Sequence, residues 1–313
     1  MAAKDTLDKI VADRITGKVS QFQLSTYGQV VPSGLSTLIT GAPVGMRLML
    51  KEDGEAECHE IVLRLQGALC FAQLPPVRAG QPLPDRGELR YMKQFVRVTG
   101  LGTSHFAHAM EGIANIAAFM GENLERGDIE SWKADRFRTW HAMELGNRYF
   151  VLQNSKGDMT PTPFEEGVDP DGKLAQMAGD KWVHTEDNKV QYFRLDAKND
   201  GKPKYTSIKP ADFKIGDLVE AQFSALTVRR CGPNDVHSLK LVLRALTLLD
   251  DTHSKAARAN RLQTAIKAPI SPSRGVKCTV GYIDEDADPT SEVPIYKLKK
   301  LSINEVKMDD GES

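Results

Sequence analysis

Cysteine is scarce: Cys58, Cys70, Cys231 and Cys278 lie far apart among 313 residues, with no CxxC pair and no histidine at a zinc-like spacing. A disulfide framework or a structural zinc needs paired or clustered ligands, so both are excluded and a reducing compartment is expected. Charge of one sign is missing too. The formal net charge is −1, so no global field favours nucleic acid or membrane, and any basic surface has to be local. Long apolar runs are absent: nothing approaches the roughly 18–20 residues of a membrane helix. The leading MAAKDTLDKIVADR is charged throughout and lacks the apolar centre of a secretory signal. These features point to a cytoplasmic or nuclear protein with no membrane partner. Catalytic signatures are also missing. There is no GxSxG, Cys58 and His59 are neighbours in sequence only, and Gly100-Leu101-Gly102-Thr103-Ser104 lacks the Lys-Ser/Thr of a P-loop. The expectation is a protein that is not an enzyme and carries no cofactor.

What is present centres on residues 213–250, FKIGDLVEAQFSALTVRRCGPNDVHSLKLVLRALTLLD. Leu218 to Arg229 is rich in the residue types that fit a pleated surface, and Cys231-Gly232-Pro233-Asn234-Asp235 supplies turn chemistry. Leu239 to Leu249 returns almost wholly apolar. The pattern predicts a β-hairpin whose return strand is buried on both faces.

Elsewhere, Leu7, Ile10, Val11 and Ile15 predict an amphipathic N-terminal helix over residues 1–16. Residues 17–101 alternate as strands, with a second hairpin from 46–50 and 60–71 and a further strand at 88–98. Phe106, Met110, Ile113, Ala117, Met120 and Leu124 form a helical stripe. Asp128, with Ile129, Trp132, Trp140 and Met143, predicts a second helix ending at Gly146. Residues 154–180 are polar and turn-rich, which predicts a long exposed loop joining subdomains 17–153 and 181–268. A basic helix is expected at 251–268, capped by Asp251 or Thr252, and a disordered tail at 269–313. The fold class is therefore α+β, mainly antiparallel β arranged as a barrel or sandwich, with two helices inserted at 103–145.

Two constellations bear on function. His-Ala-Met-Glu occurs at 108–111 and again at 141–144. On two facing helices the pair would resemble part of a di-metal site, but the remaining carboxylates such sites need are absent, and no metal is expected. The second constellation is charge. From Lys209 to Lys267 there are ten Lys/Arg against six acids, a local excess of four that the rest of the chain does not share. Arg229, Arg230, Lys240, Arg244, Lys255, Arg258 and Arg261 would contact phosphates, with Tyr192 and Phe193 as stacking aromatics. The plainer account is a solvated surface with core aromatics.

Residues 216–250 resemble the paired strands of OB-fold nucleic-acid-binding domains and, more closely, a segment that recurs in proteins of higher fungi. The resemblance covers the hairpin alone, implies an OB-like barrel and transfers no individual binding residue. Together these features give, as the expected function, a non-enzymatic protein binding single-stranded DNA or RNA through a basic face. The alternatives are a homo-oligomeric assembly protein using its β-strands and a metal-dependent enzyme built on the repeated tetrapeptide.

Overall fold

The computed structural model describes residues 2–17, 19–29, 31–41, 44–51, 58–77, 86–153, 159–197, 203–230 and 235–267. The turns expected at 52–54, 199–202 and 231–234, the Pro-rich stretch 78–85 and the tail 269–313 lie outside them. Internal contacts make residues 1–266 one unit and 267–313 another, and the fold below is that of the first.

The order is α1 (Ala2–Ile15), β1 (Leu35–Gly41), β2 (Val44–Lys51), β3 (Cys58–Glu60), β4 (Leu63–Gln73), β5 (Lys93–Thr99), α2 (Ser104–Glu122), β6 (Asp128–Ile129), β7 (Asp135–Phe137) and β8 (Trp140–Arg148). Then come β9 (Val151–Leu152), α3 (Lys173–Ala178), β10 (Trp182–Val183), β11 (Gln191–Ala197), β12 (Pro203–Ser207), β13 (Leu218–Arg229), β14 (Val236–Asp250) and α4 (Thr252–Lys267).

Five strands close a ring in the order β4, β5, β8, β14, β13 and back to β4. Four of its seams are antiparallel ladders. The fifth, β8 to β14, is parallel and rests on one residue pair, Gly146 with Val242. Closing so few strands demands strong coiling, and bulges supply it. The β4–β5 register skips Cys70, and the β13–β14 register skips Arg244 and Leu249. Gly67 answers the same demand: a Cβ there would collide with Val98 and the Thr99 carbonyl of neighbouring β5. Beyond the ring, β2 and then β1 extend the sheet from β13, while β11 and β12 extend it from β14.

The alternation in the organising hairpin explains the core. Val219, Ala221, Phe223 and Ala225 point into the barrel and are fully buried with Leu63, Leu65, Val96, Val98, Met143, Leu145 and Leu243. The opposite face of β13 is buried as well, because α1 and the segment around Gln23 cover it. Glu220 there is 0% exposed. Its carboxylate faces Arg14 at 3.3 Å and Arg64 at 3.4 Å, and accepts a hydrogen bond from Gln66 at 2.9 Å. Helix α2 lays Phe106, Ala109, Ile113, Ile116 and Met120 against the main core. Helix α4 starts where Asp250 Oδ1 accepts the Thr252 amide at 2.7 Å, so the side-chain cap comes from a residue earlier than expected. Thr6 Oγ1 lies 3.0 Å from His253 Nε2 and links α1 to the first turn of α4.

The mixed α+β barrel agrees with the expected class, but two elements differ. Residues 128–148 form no helix; they form β6, β7 and β8. The reversal between β7 and β8 uses Arg138 at φ 56, a left-handed position that the sequence does not flag with glycine or asparagine. Within the expected 154–180 loop, residues 159–180 also depart from an exposed, structureless segment. They contain α3, and Val168 and Leu174 join Tyr149 and Phe150 in a small second core with Phe164 and Trp182 against it. Smaller differences are that 88–91 belong to a 3-10 turn (Arg86–Tyr91) rather than to a strand, and that the expected partner arm 60–71 meets β2 only at its start, through β3, before the chain enters the ring as β4.

Candidate nucleic-acid interface

A cavity of about 800 Å³ opens where β8 and β14 diverge past their one pair. Tyr91, Lys93, Trp132, Lys133, Arg148, Arg229 and Lys240 supply its aromatic and basic walls. Asp135, Glu144 and Asp187 supply the acidic ones.

The acids are largely committed. Glu144 accepts from Lys93 at 2.5 Å and from Arg97 at 3.0 and 2.9 Å. Burial acts to raise its pKa, and those two cations more than reverse this and hold it below the ordinary carboxylate value. Asp187 belongs to a closed quartet: Arg47 reaches Glu60 at 2.5 Å and Asp187 at 2.6 Å, while Arg244 reaches Glu60 at 2.9 Å and Asp187 at 2.8 Å. Burial would raise the Asp187 pKa, but Arg244 and Arg47 keep it depressed. The bulge explains why Arg244 can do this: as the skipped residue of β14 its side chain is re-aimed to the Ser224 hydroxyl, the Asp187 carbonyl and Glu60.

Among the described residues, Arg148, Lys133 and Lys240 have no carboxylate partner. Lys240 sits among like charges. Partial burial together with Lys93, Arg148 and Arg230 pushes its pKa below the usual lysine value, with Glu130 acting the other way.

The face of the barrel beside the cavity continues the pattern. Lys93, Phe95 and Arg97 share the outward side of β5, because successive strand residues alternate. Phe95 stacks on Phe71 of β4 with ring centroids 5.3 Å apart. The Lys93 ammonium lies 4.5 Å from the centre of the Phe95 ring, and the Arg97 guanidinium 5.6 Å from that of Phe71. Phe71 remains 43% exposed, and Tyr91 61%.

The residues singled out from sequence are divided by this geometry. Arg229, Arg230 and Lys240 do meet at the cavity end of the β13–β14 hairpin, although Arg229 is paired with Asp235 and Arg230 with Glu130. Lys255, Arg258 and Arg261 lie exposed on α4, beyond the other end of β14. From Lys240 to Asp250 a strand rising about 3.3 Å per residue spans roughly 30 Å, so the seven cations do not form one face. Arg244 is held in its quartet. Tyr192 is 5% exposed and gives its hydroxyl proton to Gln94 at 2.5 Å, so it is a core residue and not a stacking platform. Phe193 lies on the outer extension, edge-on to Tyr205 at 6.4 Å, away from the cavity. The facing-helix metal reading fails as well, since the second His-Ala-Met-Glu is on β8, where His141 and Glu144 take opposite faces.

Sequence reading missed Tyr91, Lys93, Phe95, Phe71, Trp132, Lys133 and Arg148. A signal existed for part of this set: KQFVRV at 93–98 places Lys, Phe and Arg on one face and Gln, Val and Val on the other. Arg148 and Trp132 are brought in only by closure of the ring. No family model and no curated protein matches this chain.

Proposed function

We propose that the protein binds single-stranded nucleic acid along the cavity and the outward face of β4, β5 and β8. The observation that carries this reading is the group of cations Arg148, Lys133 and Lys240, which have no carboxylate partner among the described residues, beside exposed Tyr91 and half-buried Trp132. Phosphates need cations and unstacked bases need aromatic faces, and the stacked Phe71–Phe95 pair with Lys93 and Arg97 extends the same chemistry outside the cavity. The barrel's plan supports it. An OB fold is a five-stranded barrel that binds oligonucleotides on its second and third strands and the loops beside them. In chain order β5 and β8 are the second and third ring strands here, and Tyr91 and Arg229 come from or next to the flanking loops.

Fluorescence anisotropy of a labelled polythymidine strand across a salt series tests the reading. At about 0.7 per neutralised phosphate, these three cations predict a log–log salt slope near −2. Reversing both Arg148 and Lys240 to glutamate should weaken binding by more than about tenfold and flatten the slope by roughly 1.4. An unchanged slope would reject this site, and absence of binding at low salt would reject the function.

A second reading has its own observation. Edge strand β1 carries no charge, and it leaves Leu38 51% and Ile39 65% exposed at the margin of the sheet. A homo-oligomer formed by pairing of β1 edges accounts for this. Sedimentation at high concentration should then show a dimer that Leu38→Lys dissociates; a monomer throughout would reject it.

A further inference from the structure

We infer that Lys240 is a nucleophilic amine placed to capture an aldehyde carried beside phosphate, the ring-opened sugar of an abasic site in a single strand. This rests on the cavity being a nucleic-acid site and names a substrate class for it. Three features of the cavity converge on Lys240. It lines a space of about 800 Å³, large enough for a sugar and its two flanking phosphates. It has no carboxylate partner among the described residues, whereas Lys93 is held by Glu144, Arg229 by Asp235 and Arg230 by Glu130. Partial desolvation and the like charges of Lys93, Arg148 and Arg230, opposed only in part by Glu130, make the deprotonated amine, the only form with a lone pair to give, more accessible here than in an ordinary lysine.

The division of labour follows from chemistry. Arginine keeps its charge at every accessible pH, so Arg148 can hold a phosphate while Lys240 gives up a proton. An intact nucleotide offers the amine no electrophile. An abasic sugar offers the C1′ aldehyde and leaves empty the space of the lost base, between neighbours that Tyr91 and Trp132 can stack. The nitrogen lone pair adds to the carbonyl carbon to give a carbinolamine. The carbonyl oxygen then leaves as water, taking both amine protons, and a C=N bond remains. No oxidant or reductant is required, and the step is reversible.

The test is trapping with cyanoborohydride, which reduces the imine to a stable secondary amine, followed by denaturing electrophoresis and peptide mapping. Three probes are used: a strand with one abasic site, the intact strand, and pyridoxal phosphate as a small phosphate-bearing aldehyde. The expected result is an adduct with the abasic strand alone among the two strands, mapped to Lys240. Lys240→Arg should lose that adduct even at protein concentrations that saturate the strand, because a guanidinium keeps its charge and has no lone pair to give. Binding of the intact strand with no trapped abasic adduct, or an adduct that persists at another lysine in Lys240→Arg, overturns the inference and leaves the binding reading standing. Trapping of pyridoxal phosphate but not of the abasic strand overturns the nucleic-acid source of the aldehyde. No binding of either strand at low salt removes the reading on which the inference rests.

Discussion

Replacing Phe223 by alanine is expected to lower the free energy of unfolding by about 3–5 kcal/mol, the full cost of truncating a buried aromatic. The ring is 0% exposed inside the barrel, where β13 meets Leu63 of β4 on one side and Leu243 of β14 on the other. A cavity in a layered core shrinks as its walls relax. Here the walls are hydrogen-bonded ladders closed on themselves, and they cannot move inward without breaking register, so most of the void persists. Phe223→Leu keeps most of the volume and should cost markedly less. Denaturant unfolding followed by far-ultraviolet circular dichroism would give both values. A loss for Phe223→Ala of only about 1 kcal/mol would mean that the ring can contract.

Glu220→Ala should rank beside it, with a loss of about 3 kcal/mol, for an electrostatic reason. The carboxylate is fully buried, and the three groups that satisfy it come from different parts of the chain: Arg14 of α1, and Arg64 and Gln66 of β4. Removing it leaves two guanidinium groups, 17% and 21% exposed, with no counter-charge among the described residues. Their residual exposure sets the estimate at the low end of the range for a broken buried pair. Because Arg14 is the only one of the three on α1, the loss should appear first as detachment of that helix. Limited proteolysis between residues 2 and 15 should accelerate before global unfolding does. If α1 keeps its protection in the variant, Leu7 and Val11 hold it without the ion pair.

The fold was legible where pattern and turn chemistry coincide. The hairpin of β13 and β14 announces itself by the alternation of Leu218 to Arg229 and the apolar run of Leu239 to Leu249, and α1, α2 and α4 by periodic stripes or capping. It was not legible where the chain reverses on residues that carry no turn signal. Arg138 takes a left-handed conformation, so Ile129, Trp132, Trp140 and Met143 match a helical spacing while lying on separate strands. The site was legible by halves. A window of charge found Arg229, Arg230 and Lys240, but it also swept in α4, because linear counting ignores that an extended strand separates its two ends by roughly 30 Å. Tyr192 misled for another reason: its hydroxyl is satisfied by Gln94 inside the barrel, and a buried tyrosine and a stacking one have the same sequence signature.

The parallel seam between β8 and β14 sets how this barrel can breathe. Four of the five seams are ladders, and opening any of them breaks several backbone bonds at once. The fifth is a clasp: one residue pair, reinforced by the Asn147 amide donating to the Leu243 carbonyl at 3.2 Å and the Asp187 carbonyl at 2.9 Å. The least costly deformation of the whole hoop is therefore to release that clasp and leave the ladders intact. The clasp lies on the rim of the basic cavity, so mouth width and barrel closure are a single mechanical coordinate, and a guest that widens the one loosens the other.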